Sequence, residues 1–310
     1  MPHPQSSSGP RVTLTGVPVS DGEAGPYGIA TGPDGALWFT KVHEGSVGRV
    51  SPRGGVSSYP LASADSGPTV IVAGPGDGAL WFTEYKGHRI GRIAADGTVD
   101  SFALPTPQCG PYGIAAGGDG AVWFTEMNTD RIGRITTDGE VIEFLLPPTV
   151  AGGYPSAIAA GPDGERMWFT LNLANAVGSI RTDGSDIEIH PLPTPDAGPV
   201  GITAGPDGAM WFVEIGAGQI GRIDADGGIR EFPLPDRTSR PHALVTGGDG
   251  ALWFTEWGAN RVGRITADGS RIDEYAIPSP ASEPHGIALG ADGALWVAME
   301  TGSLARVGIA

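Results

Sequence analysis

Residues 35–40 read Gly-Ala-Leu-Trp-Phe-Thr, and near-copies of this phrase recur along the chain with tryptophans at Trp38, Trp81, Trp123, Trp168, Trp211, Trp253 and Trp296. Successive tryptophans lie 42 to 45 residues apart. A fixed period of about 40 to 50 residues is what a four-stranded propeller blade needs. The unit from Gly110 to Leu146 shows how one blade is written. Its pattern predicts strands over Tyr112 to Ala116, Val122 to Thr125, Arg131 to Thr136 and Val141 to Leu146. Gly117-Gly118-Asp119-Gly120 turns the chain after the first strand, Asp138-Gly139 after the third, and Pro147 ends the fourth. No stretch carries the helical period. Seven such units predict an all-β fold: a seven-bladed β-propeller of four-stranded antiparallel blades, one domain over residues 1–310.

The two ends complete each other. After Trp296 the sequence holds a third strand, Ser303 to Ile309, and no fourth, whereas Val12 to Val17 resembles the fourth strand of the other units. Residues 11–18 are therefore expected to be the outer strand of blade seven, closing the ring and removing an open edge between the first and last blades. Loss of residues 1–20 is expected to destabilise the whole ring. Residues 1–10 have no strand pattern and are expected to lack fixed structure.

Composition narrows the partners. The 51 glycines and 28 prolines sit at fixed places beside Trp, Phe, Ile and Val, so they punctuate strands. The net charge of −16 disfavours phosphate backbones and anionic lipid, so neither nucleic acid nor membrane is an expected partner. Cys109 is the one cysteine, which leaves no internal disulfide to form. The first ten residues lack the basic and apolar regions of a signal peptide, and no apolar run approaches the ~18 residues of a membrane span. A cytoplasmic location is expected.

In an up-and-down blade, the start of the first strand and the end of the second share one rim of the central channel. Function is sought there, because these positions vary on a constant scaffold. The position opening each first strand runs Tyr27, Thr69, Tyr112, Ser156, Val200, His242 and His285. The position ending each second strand runs Lys41, Glu84, Glu126, Leu171, Glu214, Glu256 and Met299. The four glutamates are equally readable as a solvated acidic rim. His242 and His285 hold equivalent places in adjacent blades, so both should face one part of the channel mouth, as proton-transfer groups or as polar residues at a wet opening. His3, His43, His88 and His190 show no such relation.

Blade seven departs from the pattern. Glu283 precedes His285 by two residues, and Glu300 follows Met299. Strand alternation would put Glu283 on the side of His285. The two carboxylates would either hold a hard cation such as Mg²⁺ or set the basicity of the histidine with no metal. The recurring Gly-Arg of the third strand, as in Gly48-Arg49 and Gly133-Arg134, reads as a structural arginine belt.

The segments Arg240-Pro241-His242-Ala243, Trp253-Phe254-Thr255-Glu256-Trp257-Gly258-Ala259-Asn260, Glu283-Pro284-His285-Gly286 and Ala298-Met299-Glu300 resemble the virginiamycin B lyase (streptogramin B lyase) family. The resemblance begins at Gly25-Pro26-Tyr27-Gly28 and covers essentially the whole chain. It implies a monomeric, Mg²⁺-dependent carbon–oxygen lyase that linearises type B streptogramins, cyclic depsipeptides, by β-elimination at the threonyl ester, and so confers antibiotic resistance. In that resemblance His285 matches the general base, Glu283 and Glu300 the metal carboxylates, and His242 and Tyr27 the substrate contacts. Trp257, outside the repeat, would wall the substrate's aromatic groups or simply cap blade six. The residues also admit a propeller lactonase or esterase that hydrolyses another cyclic ester, or a non-catalytic propeller that binds partners on its rim.

Overall fold

The computed structural model describes residues 9–20, 24–279 and 282–310. Seven four-stranded antiparallel sheets stand around a central channel, as the period predicted. In the third blade the strands are Pro111–Ala116, Val122–Glu126, Arg131–Ile135 and Val141–Leu145, each end within a residue of the sequence reading. The last blade is built from Pro284–Leu289, Leu295–Met299, Ser303–Ile309 and the N-terminal strand Val12–Pro18. That closing strand pairs in register from Val12↔Ile309 to Pro18↔Ser303. Residues 1–8, most of the stretch expected to lack fixed structure, lie outside the described residues, while the Pro10 carbonyl accepts the Tyr275 hydroxyl at 3.2 Å. Among the described residues no helix is long and apolar enough to cross a membrane.

Each repeated phrase folds into one lock. In blade one Asp34 accepts the Trp38 indole N–H at 3.2 Å and the Arg49 guanidinium at 2.7 Å, and that guanidinium lies 5.4 Å from the centre of the Trp38 ring. One carboxylate thus satisfies a buried indole and holds a cation over its face. The same trio recurs as Asp77, Trp81 and Arg92; Asp119, Trp123 and Arg134; Asp207, Trp211 and Arg222; Asp249, Trp253 and Arg264; Asp292, Trp296 and Arg306. The arginine belt is structural. Blade four breaks the lock because Ser179 stands where the arginine would be; Arg166 bonds Ser179 at 2.8 Å and Glu188 at 2.9 Å instead.

The third-strand glycine answers to the second-strand phenylalanine. A Cβ on Gly133 would lie 2.1 Å from Phe124, so any side chain there would expel the ring. In blade seven both positions change together: Ala305 pairs with Val297, and the smaller valine makes room for the methyl group. Five of the seven repeat tryptophans and six phenylalanines are among the largest fully buried side chains. Burying each such ring contributes about 1.5–3 kcal/mol.

Every innermost strand opens on a proline, at Pro26, Pro68, Pro111, Pro155, Pro199, Pro241 and Pro284, and its register shifts directly afterwards. Proline suits the start of an edge strand, and a bulge re-aims the side chain beside it. The residue after each proline is the variable position singled out from the sequence. This bulge is what turns it to the channel mouth.

Candidate active site

Four of those seven positions meet across the channel. The Tyr27 hydroxyl lies 2.6 Å from that of Tyr112 and 3.3 Å from Nε2 of His242. The His285 ring centre is 4.4 Å from that of Tyr27 and 4.8 Å from that of His242. Blades one, three, six and seven therefore contribute to one polar cluster, and the two histidines share a place as their spacing predicted. Tyr112 belongs to the cluster although sequence reading gave it no role. Tyr27, Tyr112 and His242 also line an apolar cavity of about 290 Å³ in the channel, with Ile71, Ile158 and Leu244 among its walls.

Beside this cluster, Glu300 stands between two imidazoles. Its Oε2 lies 2.5 Å from His285 Nε2, and its Oε1 lies 2.7 Å from His43 Nε2. The hydrogen bond from His285, helped by that from His43, draws the Glu300 carboxyl down to about 2, so it is ionised and can only accept. Both Nε2 atoms therefore carry protons. In neutral His285 the lone pair falls on Nδ1, which is buried and has no partner among the described residues. The carboxylate fixes the tautomer and would stabilise the imidazolium that forms on proton uptake, as a buried aspartate does for the histidine of a serine protease.

His242 and Tyr27 are held neutral. Burial, reinforced by the nearby His285, pushes His242 down to about 3. Burial, with Tyr112 alongside, raises Tyr27 well above the ordinary tyrosine range. One is a neutral imidazole and the other a hydroxyl, suited to hydrogen-bonding a substrate and not to carrying charge.

Glu283 takes a different position from the one strand alternation implied. The strand starts at Pro284, and Glu283 has φ of +50°, so alternation does not reach it. Its side chain is exposed and lines a groove with Arg240, Trp257 and Asn260. Its carbonyl accepts the Glu300 N–H at 3.2 Å, which brings the two backbones together. Trp257 opens a short 3₁₀ turn, with its ring 6.3 Å from His285 and the Arg240 guanidinium 5.5 Å over its face. It walls the groove next to the histidine.

Among the described residues no group of three or more His, Cys, Asp or Glu side chains is arranged to hold an ion. The chemistry of the pair still suits Mg²⁺, which takes one or two carboxylates and keeps several waters. Each Glu300 oxygen spends one lone pair on an imidazole and retains another, and the Glu283 carboxylate is open to solvent.

The glutamates ending the second strands are no solvated rim. Glu84, Glu126, Glu214 and Glu256 are all buried, at 4% exposure or less. Each second strand is still enclosed by its neighbours at that point, so these side chains never reach solvent. Burial raises Glu126 to about 8, and Glu214 and Glu256 to about 7. Buried Cys109 has its thiol pushed up to about 12, mainly by burial, and is inert.

A threonine two residues after the repeat tryptophan clamps the next blade. Its hydroxyl donates to the carbonyl of the next channel-mouth residue, at 2.5 Å from Thr40 to Thr69, 2.8 Å from Thr83 to Tyr112, and 2.8 Å from Thr255 to His285. Thr125 and Thr170 do the same for Ser156 and Val200. The two units without the hydroxyl have Val213 and Ala298 there, and the residues they would clamp are His242 and Tyr27.

With this geometry in place, the comparison with known proteins is specific. The profile of the virginiamycin B lyase family matches residues 12–307. The chain belongs to the virginiamycin B lyase family. Among curated members, the virginiamycin B lyase of Nocardia farcinica is 47% identical over 213 residues, 69% of this chain and 71% of that one. The match to the Bordetella bronchiseptica virginiamycin B lyase is 52% identical over 64 residues, and spans only 21% of the length of either chain. The crystal structure of the Staphylococcus aureus virginiamycin B lyase superposes with a TM-score of 0.91 at 42% identity, covering 97% of this chain and 100% of that one. A catalytically inactive histidine-to-alanine variant of the S. aureus virginiamycin B lyase, solved with quinupristin, matches at 41% identity and a TM-score of 0.91, with the same coverage.

Of the six histidines in the chain, three now have a place at the site. His43 is the one that sequence reading missed. His88 accepts the Gly110 N–H at 3.2 Å and His190 stacks on Trp168, so both are structural, and His3 lies outside the described residues.

Proposed function

We propose that this protein is a lyase that linearises type B streptogramins by β-elimination at the threonyl ester. The observation that carries this reading is the imidazole of His285, fixed by Glu300 and packed against Tyr27 and neutral His242, in a family whose S. aureus member becomes inactive when one histidine is replaced. His285 takes the threonyl α-proton on Nδ1, the ring nitrogen that Glu300 leaves free. The electrons of that C–H bond become the Cα=Cβ double bond, the Cβ–O bond breaks, and the phenylglycine carboxylate leaves with its electron pair. The ring opens to a dehydrobutyrine with no water added. Glu300 accepts the Nε2–H throughout and offsets the charge on the imidazolium. Tyr27 and His242 hold the depsipeptide over the channel, and Trp257 gives its aromatic groups an apolar wall.

Glu283 and Glu300 are the residues that would hold Mg²⁺. Bound there, the cation would stabilise charge developing on the carbonyl next to the acidic carbon. Cleavage of such an antibiotic would confer resistance, and in this reading the protein works as a monomer in the cytoplasm. The test is chromatographic separation of cyclic from linear quinupristin after incubation with the wild type and with His285→Ala, in Mg²⁺ and in EDTA. Linear product from the wild type in Mg²⁺ alone is expected. Turnover by His285→Ala at the wild-type rate would remove the proposed base.

A further inference from the structure

The His43 side chain comes from blade one, yet among the described residues its one side-chain polar contact is with Glu300 of blade seven, 257 residues away in sequence. The contact crosses the seam where the ring closes. Its seat is built: Gly25, at φ +65°, lies under the ring, and a Cβ there would come within 2.4 Å of His43 Cδ2. The His43 N–H donates to the Ala24 carbonyl at 3.2 Å, which fixes the backbone from which the imidazole projects. None of the other six blades has a histidine at this position; it is occupied by Lys86, Asn128, Leu173, Gly216, Gly258 and Thr301. Glu300 has two oxygens and one rotatable carboxylate. With Oε1 tied to His43, the carboxylate plane is fixed and Oε2 is directed at His285 Nε2. Without that tie Glu300 would be free to turn toward solvent, since its side chain is 23% exposed.

We propose that His43 is a positioning residue for the reaction, holding Glu300 Oε1 so that Oε2 keeps the Nε2–H of His285. The proposal rests on His285 acting as the base. His43 touches none of the reacting atoms, and at 52% side-chain exposure it contributes little to the core. Losing an outer partner of this kind costs on the order of 10- to 100-fold in activity. The variants are His43→Ala and His43→Gln, the second because its amide N–H can donate to the same carboxylate oxygen.

Two measurements test it. The first is nitrogen-15 NMR of the histidine rings in the resting protein, with His285→Ala used to assign the signal. The wild type and His43→Gln should show His285 protonated at Nε2, and His43→Ala should show a mixture of tautomers. The second is steady-state kinetics on quinupristin: His43→Ala is expected to lower kcat about tenfold with KM nearly unchanged, and His43→Gln to recover most of it. A His43→Ala protein with the wild-type His285 signal and wild-type kcat would overturn the proposal, as would a His43→Gln protein no better than alanine. The NMR result needs no turnover, so it judges His43 even if the wild type leaves quinupristin intact, an outcome that would defeat the function proposed above.

Discussion

Replacing Glu256 by glutamine should flatten the pH dependence of stability, and the structure gives the size of the effect. Among the described residues neither Glu256 oxygen has a hydrogen-bond partner, and the residue has no exposed surface. Around it are Glu274 on the fourth strand, Arg261 on the third, and Asp236 and Ser239 on the loop from blade five. Burial, then the Glu274 charge, raises its carboxyl from 4.5 to about 7. The folded protein thus holds this proton more tightly than the unfolded chain does. The favourable contribution is complete below pH 4.5 and is lost as pH rises toward 7. At ~1.4 kcal/mol per pH unit, the loss between pH 5 and pH 8 is about 2–3 kcal/mol. Glutamine keeps the shape and does not titrate, and its amide can donate to the free Oε1 of Glu274. Urea unfolding of both proteins at pH 5 and pH 8 is the assay. The wild type should lose about 2–3 kcal/mol more than Glu256→Gln over that range, while Glu126 and Glu214 leave a slope common to both. Equal losses in the two proteins would refute the reasoning.

Val17→Tyr is expected to stabilise the ring. In six blades an aromatic ring or His190 on the fourth strand stacks on the repeat tryptophan at 5.5 to 5.7 Å, whereas blade seven has Val17 in that slot, half-buried Trp296, and a cleft of about 380 Å³ beside them. A tyrosine stacked there should add about 0.5–1.5 kcal/mol beyond its area burial, read as a higher urea midpoint, and an unchanged or lower midpoint would count against the slot being equivalent. Val213→Thr restores the missing clamp to the His242 carbonyl in a near-isosteric side chain. It should gain about 0.5–1.5 kcal/mol in the same assay, and a loss would show that the new hydroxyl finds no partner.

The blade count, the strand limits and the closing strand were legible because a seven-fold period averages out local ambiguity and leaves only one place for Val12–Pro18 to pair. The lock was half legible: Gly-Arg stood out, but the aspartate that joins Arg49 to Trp38 reads as ordinary turn chemistry until the sheet folds back. His242 and His285 could be paired because both follow the opening proline of neighbouring blades. His43 could not, since its partner lies across the seam and the two residues sit at different steps past their tryptophans. A signal was present: ring closure makes blades one and seven neighbours, so polar residues just past Trp38 and Trp296 had to be compared directly. Glu283 was misplaced because alternation was carried one residue beyond the strand, into a left-handed turn. The sequence left the exit glutamates open, with a solvated rim at even weight, because it does not show that the second strand remains enclosed to its last residue.

The most direct test of the account is the mass of the product formed from quinupristin in water enriched in oxygen-18. Elimination predicts a linear product with the mass of the cyclic substrate and no heavy oxygen. A linear product heavier by one water and carrying oxygen-18 would show hydrolysis, and would contradict the role given to His285.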